Sequence, residues 1–223
     1  MNRLKTLCVA GLMFVLTLSG SNTAKAVQDE SGRGEASPVK TIVALGDSLT
    51  AGFGVDLSES YPAQLEKTLK DNGYHFRVIN AGVSGETSSG TLARVEWILT
   101  QNPEVVIVET GANDGLRGVS PTLLEDNLRE ILVILQERNV EVLLVGMKMV
   151  WNLGPDYVSE FNEVYPRVAK EMNVALMPFF LEDVAAKPHL NTDDGIHPNS
   201  AGYQVIVKNI YPYVTKVINS VKQ

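Results

Sequence analysis

Cysteine is almost absent from this sequence: Cys8 is the only one in 223 residues. It lies in an apolar run near the amino terminus, so the residues that follow have no disulfide framework and no cysteine-based metal site. Long hydrophobic runs are scarce as well. The run Leu7 to Leu18 is shorter than the roughly 20 residues of a membrane-spanning helix, and no later run is longer.

The first 26 residues have the composition of a secretory signal peptide. Arg3 and Lys5 precede the apolar run, and the segment ends in the small-residue pattern Ala24-Lys25-Ala26. We expect cleavage after Ala26, a flexible lead-in over residues 27–40 and a single domain over residues 41–223. The expected location is periplasmic or secreted, without a stable membrane anchor.

Basic residues are fewer than acidic ones, with 19 basic and 26 acidic residues in the whole chain. Loss of Arg3, Lys5 and Lys25 with the signal peptide would leave 16 basic and 26 acidic residues, a formal net charge of −10. Nucleic-acid binding needs a basic surface that displaces counterions, so we expect no nucleic-acid partner. The length suits one ordinary domain, which we expect to be a monomer.

Short apolar segments alternate with helical patterns along the remaining chain. Strands are predicted at Thr41–Leu45, Phe76–Asn80, Glu104–Glu109, Val140–Gly146 and Val174–Met177. Helices are predicted after Ser60 and Ser120, each read as an N-cap, and over Ser88–Gln101, Tyr157–Met172 and Ser200–Val221, the last interrupted near Pro212. Such alternation predicts an α/β fold with a three-layer, doubly wound parallel sheet of the flavodoxin-like type.

Ligands of such folds bind at the carboxyl ends of the strands, and four polar loops lie where those ends are expected. Ser48 follows the first strand, "NAGVSGET" the second and "GANDG" the third, while "DDGIHPN" precedes the last helix. Ser48 has two interpretations, a helix N-cap or a nucleophile, and a nucleophilic serine needs a base.

Of the three histidines, only His197 has a carboxylate at a useful spacing. Asp194 lies three residues earlier, so one turn can bring the two side chains together. The alternative is that Asp194 or Asn199 caps the last helix. Gly85 permits close backbone approach to a ligand and Asn113 offers an amide, as an oxyanion hole requires, although Asn113 alone could be a turn former.

The motifs "GDSLTAG", "NAGVSGETSSGTLAR", "VETGANDGLRG" and "DDGIHPN" resemble those of the SGNH hydrolases, the GDSL lipase/esterase family. The resemblance implies that Ser48 is the nucleophile and that His197 and Asp194 complete a catalytic triad. It also implies an oxyanion hole formed by the backbone N–H of Ser48 with Gly85, rather than Gly82, and Asn113.

By the same resemblance, we expect a serine esterase that cleaves small-molecule esters and thioesters, including aryl esters, acyl thioesters and lysophospholipids, through an acyl-enzyme. No metal and no cofactor is expected. Apolar residues near the predicted site could bind the acyl group or simply pack loops onto the core; these candidates are Phe53, Leu116, Trp151 and Leu153.

Three other functions remain open from the residues alone. A carbohydrate O-acetylesterase of the same superfamily would share the triad. A non-catalytic flavodoxin-like binding module would use the same loops, although no G-x-G-x-x-G or P-loop is present. A metal site could draw on His189, Asp193, Asp194 and His197, but one turn supplies only an incomplete shell.

Overall fold

A five-stranded parallel sheet forms the centre of the computed structural model, which describes residues 39–149 and 153–221. The strands are β1 (Lys40–Gly46), β2 (Phe76–Gly82), β3 (Val105–Glu109), β4 (Glu141–Val145) and β5 (Ala175–Met177). Their sequence segments are those predicted, with bounds that differ by up to two residues. The apolar residues of β1 and β3 are fully buried because helices cover both faces of the sheet.

Eight helices are assigned among the described residues. They are α1 (Ser48–Ala51), α2 (Tyr61–Asp71), α3 (Ser88–Ala93), α4 (Val95–Leu99), α5 (Ala112–Leu116), α6 (Pro121–Glu137), α7 (Pro155–Met172) and α8 (Ser200–Val221). Helix α2 packs against α8, whereas α3, α4 and α7 pack against α6. These two groups cover opposite faces of the sheet, so the predicted three-layer fold is confirmed.

The strand order is β2-β1-β3-β4-β5. The chain moves from β1 to β2 in one direction across the sheet and from β2 onwards in the other, so right-handed crossovers place helices on both faces. The direction changes between β1 and β3, where open α/β sheets form their ligand crevice. In register, Gly46 at the end of β1 lies between Gly82 of β2 and Glu109 of β3.

Two predicted helices differ from the sequence interpretation. The segment Ser88–Gln101 contains two short helices, α3 and α4, because the backbone leaves helical geometry at Arg94. Helix α8 continues through Pro212 without the expected interruption. Pro212 is exposed, where water can replace the missing backbone donor.

The predicted N-cap serines occupy the right positions without making the cap bond. Ser60 and Ser120 precede α2 and α6, but neither side chain accepts a backbone N–H of its helix. The Ser60 hydroxyl instead donates to the Leu57 carbonyl at 2.7 Å, in the preceding 3₁₀ turn.

The described residues all belong to one compact unit, Ser37–Gln223. The predicted signal peptide and almost all of the predicted lead-in lie outside the described residues. Within residues 39–149 and 153–221, no helix is long and apolar enough to cross a membrane.

Candidate active site

The turn after β1 presents Ser48 at the start of a single helical turn. Asp47, not Ser48, is the N-cap of α1, and its Oδ1 accepts the Leu49 N–H at 2.9 Å. The carbonyl of Leu49 in turn accepts from the Tyr203 hydroxyl of α8 at 3.0 Å. The helix-cap interpretation of Ser48 is therefore wrong, and its hydroxyl is available for other contacts.

The loop before α8 is closed by its own hydrogen bonds. Asn191 and Pro198 form an antiparallel bridge, and the Thr192 N–H donates to the His197 carbonyl at 2.8 Å. At the end of this loop, Asn199 Oδ1 accepts the Gly202 N–H at 3.0 Å and so caps α8. Because Asn199 makes the cap, Asp194 is free to contact His197.

Ser48, His197 and Asp194 form one hydrogen-bonded chain. Ser48 Oγ lies 2.9 Å from His197 Nε2, and His197 Nδ1 lies 2.7 Å from Asp194 Oδ2. An ionised carboxylate can only accept, so Nδ1 carries the hydrogen of the neutral imidazole and Nε2 is left to accept from the Ser48 hydroxyl.

Hydrogen bonds to the Asp194 carboxylate hold its pKa well below the usual range. The backbone N–H and ring of His197 make the largest contributions, followed by the Ile196 N–H and the Thr192 hydroxyl. The corresponding contacts to Asp194 Oδ1 measure 2.8 Å from Thr192 and Ile196 and 3.0 Å from the His197 N–H. Asp194 is therefore anionic beside the imidazole.

The residues considered for an oxyanion hole lie around Ser48. Asn113 of α5 uses its amide nitrogen to donate to Asp47 Oδ2 at 2.9 Å, and the same nitrogen carries a second hydrogen. Gly85 has a φ of 80°, where a side chain is disfavoured. The backbone N–H groups of Ser48 and Gly85 donate to no other described residue.

Gly82 lies elsewhere, at the end of β2, where an added Cβ would come 2.1 Å from the Ala51 nitrogen. It allows β2 and α1 to approach each other closely, and it does not line the cleft.

Ser48, Gly85, Asn113 and His197 line one cleft of about 380 Å³ at the carboxyl end of the sheet. Its walls are otherwise largely apolar, formed by Leu49, Phe53, Ala112, Leu116, Met147, Met149, Phe179, Leu181 and Ile196. A cavity of about 520 Å³ lies at the opposite end of the sheet and contains none of these four residues.

The four apolar candidates differ in position. Phe53 is 52% exposed and its ring centroid lies 4.6 Å from that of His197. Leu116 lines the same cleft, whereas Leu153 is absent from the lining among the described residues. Trp151 lies outside the described residues. The segment Val150–Asn152 between Met149 and Leu153 is likewise not described.

The other two histidines make no hydrogen bond to Ser48, His197 or Asp194. His75 lies just before β2, and His189 lies in the 3₁₀ turn Pro188–Leu190. In the part of the chain that the structure describes, no group of three or more His, Cys, Asp or Glu side chains could hold a metal ion. The metal interpretation of Asp193, Asp194, His189 and His197 therefore has no support.

A partly buried ion pair beneath the Gly85 loop escaped the sequence interpretation. The Arg94 guanidinium binds both carboxylate oxygens of Glu86, at 2.7 and 2.6 Å, and also donates to the Gly46 carbonyl at 3.1 Å. This contact links the loop to the end of β1. The only sequence signal was the presence of Glu86 and Arg94 in the same motif.

A pair of buried carboxyl groups, Asp47 and Glu109, was also missed. Both residues are 0% exposed. Burial raises the pKa of Asp47 to about 6, and burial together with the Asp47 charge raises the pKa of Glu109 well above its ordinary value. A signal existed in "VVIVE", where an acid ends an otherwise apolar strand.

Comparison with known proteins places the chain in a family. Residues 44–205 match the family model of the GDSL-like lipase/acylhydrolases. The chain belongs to this family. The resemblance carried by the sequence motifs is thus confirmed, and the protein is a serine hydrolase with the fold of the SGNH hydrolases. The interpretation as a non-catalytic binding module is wrong.

Similar proteins include esterase TesA of Pseudomonas aeruginosa, 41% identical over 174 residues, which are 78% of this chain and 87% of that protein. Thioesterase 1/protease 1/lysophospholipase L1 of Escherichia coli K12 is 43% identical over 74% of this chain and 78% of that protein. The crystal structure of psychrotrophic esterase EstA from Pseudoalteromonas sp., inhibited by monoethylphosphonate, is 34% identical with a TM-score of 0.77, covering 81% of this chain and 99% of that one.

Proposed function

We propose that this protein hydrolyses carboxylic esters and thioesters through an acyl-enzyme formed on Ser48. The observation that carries the proposal is the chain from Ser48 Oγ through His197 to Asp194, placed at the wall of the cleft. The names of its relatives, an esterase and a thioesterase/lysophospholipase, agree with this reaction class.

In the first half of the reaction, His197 Nε2 takes the Ser48 proton while Oγ attacks the carbonyl carbon of the substrate. The carbonyl π electrons move onto oxygen, which gives a tetrahedral oxyanion. Its collapse breaks the bond to the leaving alcohol or thiol, which receives the proton from His197. Ser48 then carries the acyl group.

In the second half, a water molecule attacks the acyl-enzyme while His197 Nε2 removes its proton. Collapse releases the carboxylic acid and returns the proton to Ser48. Asp194 holds the imidazole in the required tautomer and stabilises its charged form in both halves. No step requires a metal ion or an organic cofactor.

Three donors are proposed to stabilise the oxyanion: the backbone N–H groups of Ser48 and Gly85 and the second amide hydrogen of Asn113. Support comes from their common position at the cleft and from the absence of competing acceptors for the two N–H groups among the described residues. Preorganised donors of this kind act mainly on the transition state, where the charge develops.

The acyl chain is proposed to occupy the apolar part of the cleft, between Phe53 and Leu116 and the segment Met149–Val158. Phe53, Leu116 and Met149 line it, and Trp151 and Leu153 are proposed to extend the wall. Each methylene buried there would contribute about 0.8 kcal/mol, which favours medium and long acyl chains over acetyl.

The amino-terminal segment is proposed to be a signal peptide removed after Ala26, so that the working enzyme is a periplasmic or secreted monomer without an anchor. Its charge and apolar pattern support export. No membrane-spanning helix occurs in residues 39–149 and 153–221.

Replacement of the nucleophile tests the proposal. Ser48→Ala should fold and lose at least about 10⁴-fold in kcat, because removal of a triad nucleophile abolishes the covalent route. Ser84→Ala is the matched control, since Ser84 lines the same cleft and hydrogen-bonds to neither His197 nor Asp194; it should keep most of its turnover. Equal turnover of Ser48→Ala and wild type on a short aryl ester would reject the assignment.

Acyl selectivity is tested with p-nitrophenyl esters of two to sixteen carbons. We expect kcat/KM to rise with chain length and the rise to flatten in Trp151→Ala. Trp97→Ala is the matched control, because Trp97 lies on α4 with 56% of its surface exposed and does not line the cleft. Preference for acetylated sugars, unaffected by Trp151→Ala, would favour the carbohydrate O-acetylesterase alternative.

A further inference from the structure

The carboxyl group of Glu109 lies directly beneath the turn that carries Ser48. Glu109 ends β3 and pairs in register with Gly46 of β1. A Cβ on Gly46 would come 2.5 Å from Glu109 Oε2, so only glycine at this position leaves room for the carboxyl group. The sequence thus makes space for a buried acid at the switch point of the sheet.

Glu109 contacts the Ser48 turn at two points. Its Oε2 accepts from the Thr50 hydroxyl at 2.7 Å and from the Asp47 N–H at 3.3 Å. Asp47 and Thr50 flank Ser48 and Leu49, so the two contacts fix both ends of the segment that presents the Ser48 hydroxyl.

The two buried carboxyl groups are unequally supplied with donors. Both Asp47 oxygens accept a hydrogen bond, one from the Leu49 N–H and one from the Asn113 amide. Glu109 Oε1 is buried and has no hydrogen-bond partner among the described residues. An ionised carboxylate with one unsolvated oxygen is costly, so the single negative charge belongs on Asp47.

Among the described residues, no cation acts on Glu109, whereas His197 lowers the pKa of Asp47. The titratable groups facing Glu109 are Asp47, Tyr61 of α2, Tyr165 of α7 and Tyr203 of α8. Arg94 reaches the Gly46 carbonyl, but it is paired with Glu86. Two adjacent carboxylates in such a setting share one proton rather than both ionising.

We propose that Glu109 is a positioning residue, held uncharged beneath the Ser48 turn, which fixes that turn and leaves Asp47 as the anion that orients the Asn113 amide. A charged Glu109 would place a second negative group close to the developing oxyanion and oppose its formation. The inference rests on the proposed roles of Ser48 and Asn113.

Glu109→Gln separates shape from charge. Glutamine keeps the size and an acceptor oxygen but cannot ionise. Glu141→Gln is the matched control, because it removes the same formal charge from an exposed residue at the start of β4. Glu109→Ala removes both the contacts and the charge. The measurements are the equilibrium constant of unfolding in urea from pH 5 to pH 8 and kcat and KM at each pH.

If Glu109 is protonated in the folded state, the unfolded chain releases its proton near the ordinary Glu pKa of about 4.3 and the folded chain does not. Folding then binds a proton, and wild type loses stability relative to Glu109→Gln by about tenfold in the unfolding constant per pH unit. Glu141→Gln should show no such slope. A pH-independent difference between Glu109→Gln and wild type would overturn the uncharged state.

For the positioning role, Glu109→Gln should retain at least about a third of the wild-type kcat, while Glu109→Ala should lose about 10- to 100-fold in kcat with little change in KM. Equal losses in the two variants would overturn this role. If Glu109→Ala does not fold, a loss of more than tenfold in the kcat of Glu109→Gln would by itself overturn the positioning role. The unfolding measurement does not depend on catalysis. If the assignment of Ser48 as the nucleophile were wrong, the predicted dependence of the unfolding constant on pH would therefore be unchanged.

Discussion

Asp194 and Asp47 are the two carboxylates nearest to the proposed chemistry, and their surroundings are opposite. The Asp194 side chain is 38% exposed and accepts four hydrogen bonds, which keep its pKa low. Asp47 is fully buried and accepts two, and its pKa is raised to about 6. The number of donors holds Asp194 anionic at little cost, whereas burial makes the Asp47 charge expensive.

The partners of the two carboxylates also differ in sequence separation. All four donors to Asp194 come from within three residues, in the loop from Thr192 to His197. Asp47 depends on Asn113 for one contact, 66 positions away. The acidic partner of the imidazole is therefore built locally, while the oxyanion side of the site depends on the packing of β1 against β3.

Among the substitutions that compare the surroundings of Asp47 and Asp194, loss of the Asn113–Asp47 contact should lower kcat most. Asn113→Ala removes one proposed oxyanion donor and one donor to Asp47, so kcat should fall on the order of 10²- to 10³-fold with little change in KM. Steady-state kinetics on an aryl ester measures it. A change confined to KM would instead place Asn113 in ground-state binding.

Loss of the Asp194 carboxylate beside His197 should lower kcat by a smaller factor. Replacing a buried triad aspartate by asparagine costs about 10⁴-fold in kcat. The Asp194 side chain is exposed, so water can solvate the charged imidazole in Asp194→Asn, and we expect a smaller loss of about 10- to 100-fold. Asp193→Asn, the neighbouring carboxylate of the same loop, is the control and should be nearly neutral. Comparable losses in both variants would mean that the net charge of the loop matters, rather than the contact to the imidazole.

The smallest expected effect is a change in how stability depends on pH. Because the folded pKa of Asp47 is raised to about 6, this group contributes a loss of stability as pH rises from about 4 to 6, of at most about 1.4 kcal/mol per pH unit. Asp47→Asn should lack this contribution and keep the one proposed for Glu109.

The contribution of Asp194 to folding stability should change with pH in the opposite direction to that of Asp47. Its lowered pKa contributes stability that is present above the ordinary Asp value near 3.9 and is lost as pH falls through the folded value. The difference between wild type and Asp194→Asn should therefore shrink on acidification. Urea unfolding from pH 3 to pH 7 measures both slopes, and slopes of the same sign would contradict the comparison.

The same contrast explains what could be predicted from sequence. The strands from β1 to β5 are visible because burial on both faces makes each a short apolar run bounded by polar residues. The Asp194–His197 contact is visible because it is local. Strand order cannot be predicted in this way, because nothing in a single strand specifies its parallel neighbour. The proximity of Ser48 and Asn113 could be inferred only from the expected fold.

Glu109 shows where the sequence interpretation fails. As the last residue of "VVIVE" it reads as the polar end of a strand, and only the register with Gly46 reveals that it lies under the Ser48 turn. Ser60 and Ser120 fail for a smaller reason: the residue type predicts the cap position, but whether the hydroxyl donates elsewhere is decided by tertiary geometry. The Arg94–Glu86 pair is hidden in the same way.

The central claim is that Ser48 is the residue that becomes acylated, and one measurement tests it most directly. A phosphonate ester that reacts with activated serines is incubated with the intact protein, and the modified residue is located by peptide mass mapping. We expect one adduct per molecule, on Ser48, with none in Ser48→Ala and with labelling slowed in Asp194→Asn. An adduct on Ser84 or any other residue, or undiminished labelling of folded Ser48→Ala, would contradict the account.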